Sequence, residues 1–145
     1  MMNYPAVLDP AKVGTYPALA KAGAGYVWDE VLEYRVWCHP ERGAPDLHEG
    51  SDYHRAFDTY EKAYAYSAAH PGCESPLALV LQREYINEPT PGEFVHVKEE
   101  RVTEWFPEFL SRPRRDARTL VDFFASDAPA NRMDILQGRA PRTVD

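Results

Sequence analysis

The densest grouping of chemistry-bearing side chains in this 145-residue chain runs from Cys38-His39 through Asp46, His48, Glu49 and Asp52 to His54. Thiol, imidazole and carboxylate, the donor types that bind transition metals, fall within seventeen positions. His39, His48 and His54 are the candidate metal ligands, since imidazole suits zinc, nickel or iron and the carboxylates could complete a site. The spacing matches no established cage. His48-Glu49 is not followed by a second histidine on one helical face, as a metalloprotease helix requires. An acidic, turn-rich surface segment whose histidines are merely polar accounts for the same residues more simply. Cys38 beside His39 looks like a nucleophile with its base, but neighbouring strand residues point to opposite faces.

A second group lies further along. His96 is out of phase with Val95 and Val97, so it faces solvent or a groove if the valines face the core. It could act as a general base, although a satisfied strand histidine is the plainer reading. Together with Trp37, Tyr85 and Trp105 it makes a candidate patch for a ligand or partner, with core and edge-covering roles as the alternative. Arg83, Glu84, Lys98, Glu99, Glu100, Arg101 and Glu104 alternate in sign, which cross-strand ion pairs explain. An acid/base role for Glu84 or Glu100 would need burial. Neither GxGxxG nor GxxxxGK[ST] occurs, so no Gly-rich phosphate loop is present.

The elements that must position these groups follow from periodicity. Val31 to Cys38 reads as a strand with Leu32, Tyr34, Val36 and Cys38 on one face. His39 to Tyr53 reads as a long polar loop, a kind that is often functional or disordered. Asp58, with Glu61 three residues on, predicts a capped helix over Thr59 to His70, stopped by Pro71-Gly72. The stretch from Leu77 to Trp105 holds the richest β-signal. LALVLQREYI predicts a strand buried on both faces at its start, and two prolines and Gly92 stop it from continuing past Ile86. Phe94 to Val97 predicts the next strand, and Glu99-Glu100 a turn or a bulge before Arg101 to Trp105. Ala117, Leu120, Val121 and Phe124 predict a second helix behind Asp116. The expected fold is α+β: a small, mostly antiparallel sheet of three to four strands with helices on one face, in the order β-α-β-β(-β)-α. Residues 1–29 are expected to form an irregular arm, 30–126 one domain and 127–145 a tail. The second face of the sheet then needs cover from the arm, the tail or a second subunit, and a homodimer is one expectation.

Composition limits the partners. The net charge is −7, and up to Leu110 nine Lys and Arg face eighteen Asp and Glu, so the body is acidic and nucleic acid is not expected as a partner. No run of eighteen apolar residues occurs, so no membrane span is expected. Met1 to Tyr34 lacks a basic start with an apolar core, and Cys38 and Cys73 belong to no CxxC pair. A reducing, cytoplasmic setting is the expectation.

The segments VLEYRVWCHPERG, AFDTYEKAYAYSAAHPGCESPLALVLQREYINEPTPGEFVHVKEERVTEW and FLSRPRR together resemble a small bacterial family of proteins often labelled GCN5-related acetyltransferases. The resemblance spans roughly residues 31–124 and implies acetyl-CoA as cofactor. The family's Q/R-x-x-G-x-G/A loop would fall between His39 and Asp58. Arg42-Gly43-Ala44-Pro45 does not have that spacing, so no acetyl-CoA-binding residue is assigned. The expected function is a non-catalytic module that binds a protein or small-molecule partner. The alternative is a divergent acetyl-CoA-dependent N-acetyltransferase-like protein.

Overall fold

Two strands with unbroken burial form the centre of the molecule. In the computed structural model, which describes residues 3–142, β2 (Glu30–Cys38) and β4 (Leu77–Gln82) pair antiparallel, and both are buried on both faces. Around them the sheet has the order β1-β7-β4-β2-β3, with β1 at Lys21–Ala22, β3 at Tyr53–Phe57 and β7 at Arg101–Trp105. All pairs are antiparallel except β1 with β7. The fold is α+β, but the sheet has five strands, not three to four.

The additional strands come from segments that read as loop and arm. β3 lies within and just beyond the polar stretch after Cys38. Its own sequence is too short and mixed to signal a strand, and the neighbouring edge of β2 supplies its hydrogen bonds. β1 is only two residues long and completes the opposite edge. Short edge strands of this kind leave little unpaired backbone for another chain to join.

The predicted long central hairpin divides between two sheets. β5 (Tyr85–Thr90) and β6 (Glu93–Val97) form a separate antiparallel pair. β5 continues to Thr90 where the prolines were expected to stop it, because Pro89 falls within a shift of register that needs no ladder donor. Past Glu99-Glu100 the chain does not return along β6. It crosses to the large sheet, where β7 pairs with β4.

A bulge in β2 alters one expected face. The register with β4 shifts between Val31 and Glu33. Val31 therefore joins Tyr34, Val36 and Cys38 in the main core, while Leu32 packs with Leu79 and Leu81 on the other side. Helix α1 (Tyr60–Ala69) packs on the main-core side against β2 and β3. Its cap is Thr59, whose hydroxyl accepts from Lys62 N at 3.2 Å, and the predicted cap Asp58 instead pairs with Lys62 Nζ at 2.9 Å. The opposite side is covered by the arm through Tyr16 and Ala20.

The second predicted helix is short. Asp116 Oδ1 accepts from the backbone of Arg118 and Thr119, and α2 then spans Thr119–Phe123. A further helix, α3 (Arg132–Leu136), lies within residues 127–145, where Asn131 to Leu136 reads in the sequence as one more helical turn ahead of a tail. With Val27 and Ile86, their Leu120, Phe123 and Leu136 make a second apolar cluster under the β5–β6 hairpin. None of the helices is long and apolar enough to cross a membrane among the described residues.

Candidate functional site

The end of β2 meets the turn after α1, and this junction organises the site. His39 N donates to Gly72 O at 2.9 Å and Glu74 N donates to Trp37 O at 2.8 Å, so Gly72 to Glu74 run as a short antiparallel extension beside β2. Gly72 has φ +77, and an added Cβ would collide with Ala44 N and approach His39 O to 2.9 Å. Only glycine lets the turn come this close.

That approach brings together side chains far apart in sequence. His39 Nε2 lies 2.7 Å from Glu74 Oε2, and Nδ1 lies 2.9 Å from Asp52 Oδ1. The Asp52 contact is an ion pair rather than a well-aligned hydrogen bond. The imidazole, 11% exposed, bridges two carboxylates that are each about half exposed. The hydrogen bond to Glu74, then the Asp52 carboxylate beside Nδ1, raises the His39 pKa above its ordinary value, against a smaller opposing effect of burial.

This coupling has a definite sign. The folded protein holds the His39 proton more tightly than the unfolded chain, whose pKa is about 6.5. The resulting stabilisation is fully present below about pH 6.5 and is lost as pH rises through the folded pKa. Urea midpoints of the native protein and His39→Gln should therefore differ most between about pH 5 and 6.5 and converge at higher pH. A difference that stays constant from about pH 5 to well above the folded pKa would show that the imidazolium clamp does not form.

The three predicted metal ligands do not converge. Among the described residues, the potential ligands that gather are His39, Glu41 and Asp52, with donor atoms within 4.8 Å of one another. His48 is exposed, with its ring 5.5 Å from that of Tyr53. His54 packs on Trp37 at 4.9 Å, with Nε2 3.9 Å from Glu33 Oε2. Burial and then the Arg35 charge lower its pKa. A proton on His39 satisfies both Asp52 and Glu74 without an ion.

The predicted patch is likewise dispersed. Trp37 Nε1 donates to Glu104 Oε2 at 2.7 Å on the arm-covered face of the sheet. Trp105 is 0% exposed in the main core, on the opposite face. Tyr85 lies under the Arg101 guanidinium at 3.8 Å. His96 stacks on Phe124 and pairs with Glu84 at 3.2 Å. The register of β5 and β6 puts Tyr85 and His96 on opposite faces of their hairpin.

Beside the His39 junction a cleft of about 1200 Å³ opens, where β4 starts late between β2 and β7. Tyr4, Tyr60, Phe106 and Phe109 give it aromatic surface, and its charged lining is Glu74, Glu104, Glu108 and Arg42. Phe106 is 58% exposed. Arg112 lies over the Phe109 ring at 4.4 Å, so this aromatic surface already receives one cation of the chain. No family model, curated protein or solved structure matches this chain. The resemblance to acetyltransferase-labelled proteins thus stands on the segments quoted above alone.

A second cleft, of about 850 Å³, lies between α2, α3 and the following residues. It is lined by Arg118, Arg132, Arg139 and Arg142 among others, but these cations are engaged. Arg118 pairs with Asp122, Arg142 with Asp116, and Arg132 donates to Phe123 O at 2.7 Å.

Sequence reading named His39 and Asp52 but missed Glu74, Glu108 and the aromatic wall. Glu74 carries no local signal. It becomes a partner of His39 only because the turn at Gly72 folds back on the end of β2.

Proposed function

We propose that the protein is a non-catalytic binding module whose cleft takes a small organic cation. One observation carries this reading: the cleft combines aromatic rings with Glu108 and with Glu74 and Glu104, which His39 and Arg35 partly neutralise, and Arg42 is the basic residue of its lining. Carboxylates beside ring faces favour an ammonium group, through direct charge attraction and through the ring quadrupole. The acidic lining opposes the pyrophosphate of acetyl-CoA. An anionic cofactor, and with it the divergent acetyltransferase reading, would depend on the arginine-lined second cleft.

Spermidine is a suitable probe. It should raise the melting temperature in a concentration-dependent way, since a ligand of the folded state alone must stabilise it. Glu74→Gln/Glu108→Gln should remove most of that shift. Glu99→Gln/Glu100→Gln changes the net charge equally at exposed positions away from the cleft and should retain it. Equal loss in both double variants would mean general charge attraction and would overturn the reading. So would stabilisation by acetyl-CoA without any by spermidine.

A further inference from the structure

Two thiols separated by 35 positions meet at the same junction. Cys38 ends β2, Cys73 sits in the turn after α1, and their Sγ atoms are 2.9 Å apart. The flanking bonds, His39 N to Gly72 O and Glu74 N to Trp37 O, identify Cys38 and Cys73 as a non-hydrogen-bonded antiparallel pair. Cα atoms of such a pair lie about 4.5 Å apart, within the range of roughly 4.4–6.8 Å that a disulfide spans. The pair thus falls at the short end of the separations that a disulfide spans. Their exposures differ usefully: Cys38 is 0% exposed, whereas Cys73 is partly exposed and lines the large cleft.

We propose that Cys38 and Cys73 form a reversible thiol–disulfide site that reacts with a low-molecular-weight disulfide and closes into an intramolecular bridge. This goes beyond the cation-binding reading and does not depend on it. Cys73, the accessible thiol, enters first. Its thiolate attacks one sulfur of the small disulfide, that S–S bond breaks, and one small thiolate leaves. The product is a mixed disulfide on Cys73. Cys38 then gives up its proton to water and attacks Cys73 Sγ, and the second small thiolate leaves. The two protein thiols are oxidised and the small disulfide is reduced to two thiols, which take up the two protons released.

Burial, and then the hydrogen bond with Cys73, pushes the Cys38 thiol up to about 12. Cys38 is thus inert until Cys73 has been engaged beside it, and closure should accelerate as pH rises. The bridge would tie the Gly72–Glu74 turn to β2 and with it one wall of the cleft.

The test treats the reduced full chain with oxidised glutathione and follows intact mass, free thiols and melting temperature. The expected result is loss of both thiols and of two hydrogens, no retained glutathione, and a peptide linking Cys38 to Cys73. The melting temperature should rise by roughly 8–15 °C, as expected for closing a loop of this length, and fall back on reduction. Cys38→Ala should stop at the mixed disulfide on Cys73. If that variant does not fold, the native protein decides alone. Glutathione persisting on native Cys73, disulfide-linked dimers, or two free thiols under conditions that oxidise the urea-unfolded chain would each overturn the proposal.

Discussion

Arg35→Ala should cost about 3–5 kcal/mol of folding stability, because it leaves buried carboxylate charge without its partner. Arg35 and Glu33 are both 0% exposed, with Nε 2.7 Å from Glu33 Oε2. Nη1 reaches Glu104 Oε2 at 3.2 Å and Ala18 O at 3.1 Å, and Nη2 donates to Pro17 O. The guanidinium thereby joins β2, β7 and the arm. Glu33 Oε1 also accepts from Gly14 N at 2.9 Å, so the arm is held from two directions. The loss should appear as a lower urea midpoint, with faster amide exchange at Gly14 and Lys21 than at the centre of β4. Glu33→Leu/Arg35→Met should cost less than Arg35→Ala alone, since the double change removes the fully buried carboxylate together with its partner and leaves only Glu104, which keeps the Trp37 Nε1 donor. A loss below about 1 kcal/mol for Arg35→Ala would mean that water reaches the pair and that the arm does not seal it.

Trp105→Ala should cost about 3–5 kcal/mol as well, for a different reason. Its ring is fully buried in the main core, with Phe109 edge-on at 6.2 Å and the Arg112 guanidinium over it at 5.4 Å. Nε1 donates to Ala24 O at 3.2 Å, which helps fix the arm where it turns past Gln82. Truncation removes apolar contact and opens a cavity that the sheet above cannot close. Phe106, one residue on and mostly exposed, gives the contrast. Phe106→Ala should change stability by no more than about 0.5 kcal/mol. Under the cation-binding proposal it should nevertheless weaken spermidine binding. Similar stability losses for the two variants would contradict the burial of Trp105.

Much of the scaffold was legible in the chain itself. The alternation in β2 and β4, the alanine-rich helix before Pro71-Gly72 and the hairpin around Gly92 are local patterns, each with its own physical cause. Their sum gives an α+β fold. The departures are equally specific. The bulge at Leu32 depends on how β4 pairs with β2, so the β2 sequence alone cannot reveal it. β3 is a strand because β2 offers an open edge, not because Tyr53-His54-Arg55-Ala56-Phe57 alternates strongly. The helix cap moved by one residue because both Asp58 and Thr59 can cap, and Asp58 found Lys62 instead.

For the site, the chain alone named the chemistry of His39 and Asp52, and a segment rich in donor groups. It also determined the acidic character of the body, which follows from counting charges, and the existence of the principal strands, which follows from the alternation and the β-branched and aromatic content of their residues. Tertiary structure decided everything that depends on distance across the fold. It put Glu74 on His39 and Cys73 on Cys38, opened an aromatic cleft where β4 begins late, and separated Trp37 from Trp105 by the thickness of a sheet. The physical reason is that side-chain alternation is a local property of backbone geometry, readable over a few residues. Strand order, register and the close approach at Gly72 are set by long-range packing, in which residues 35 positions apart become neighbours.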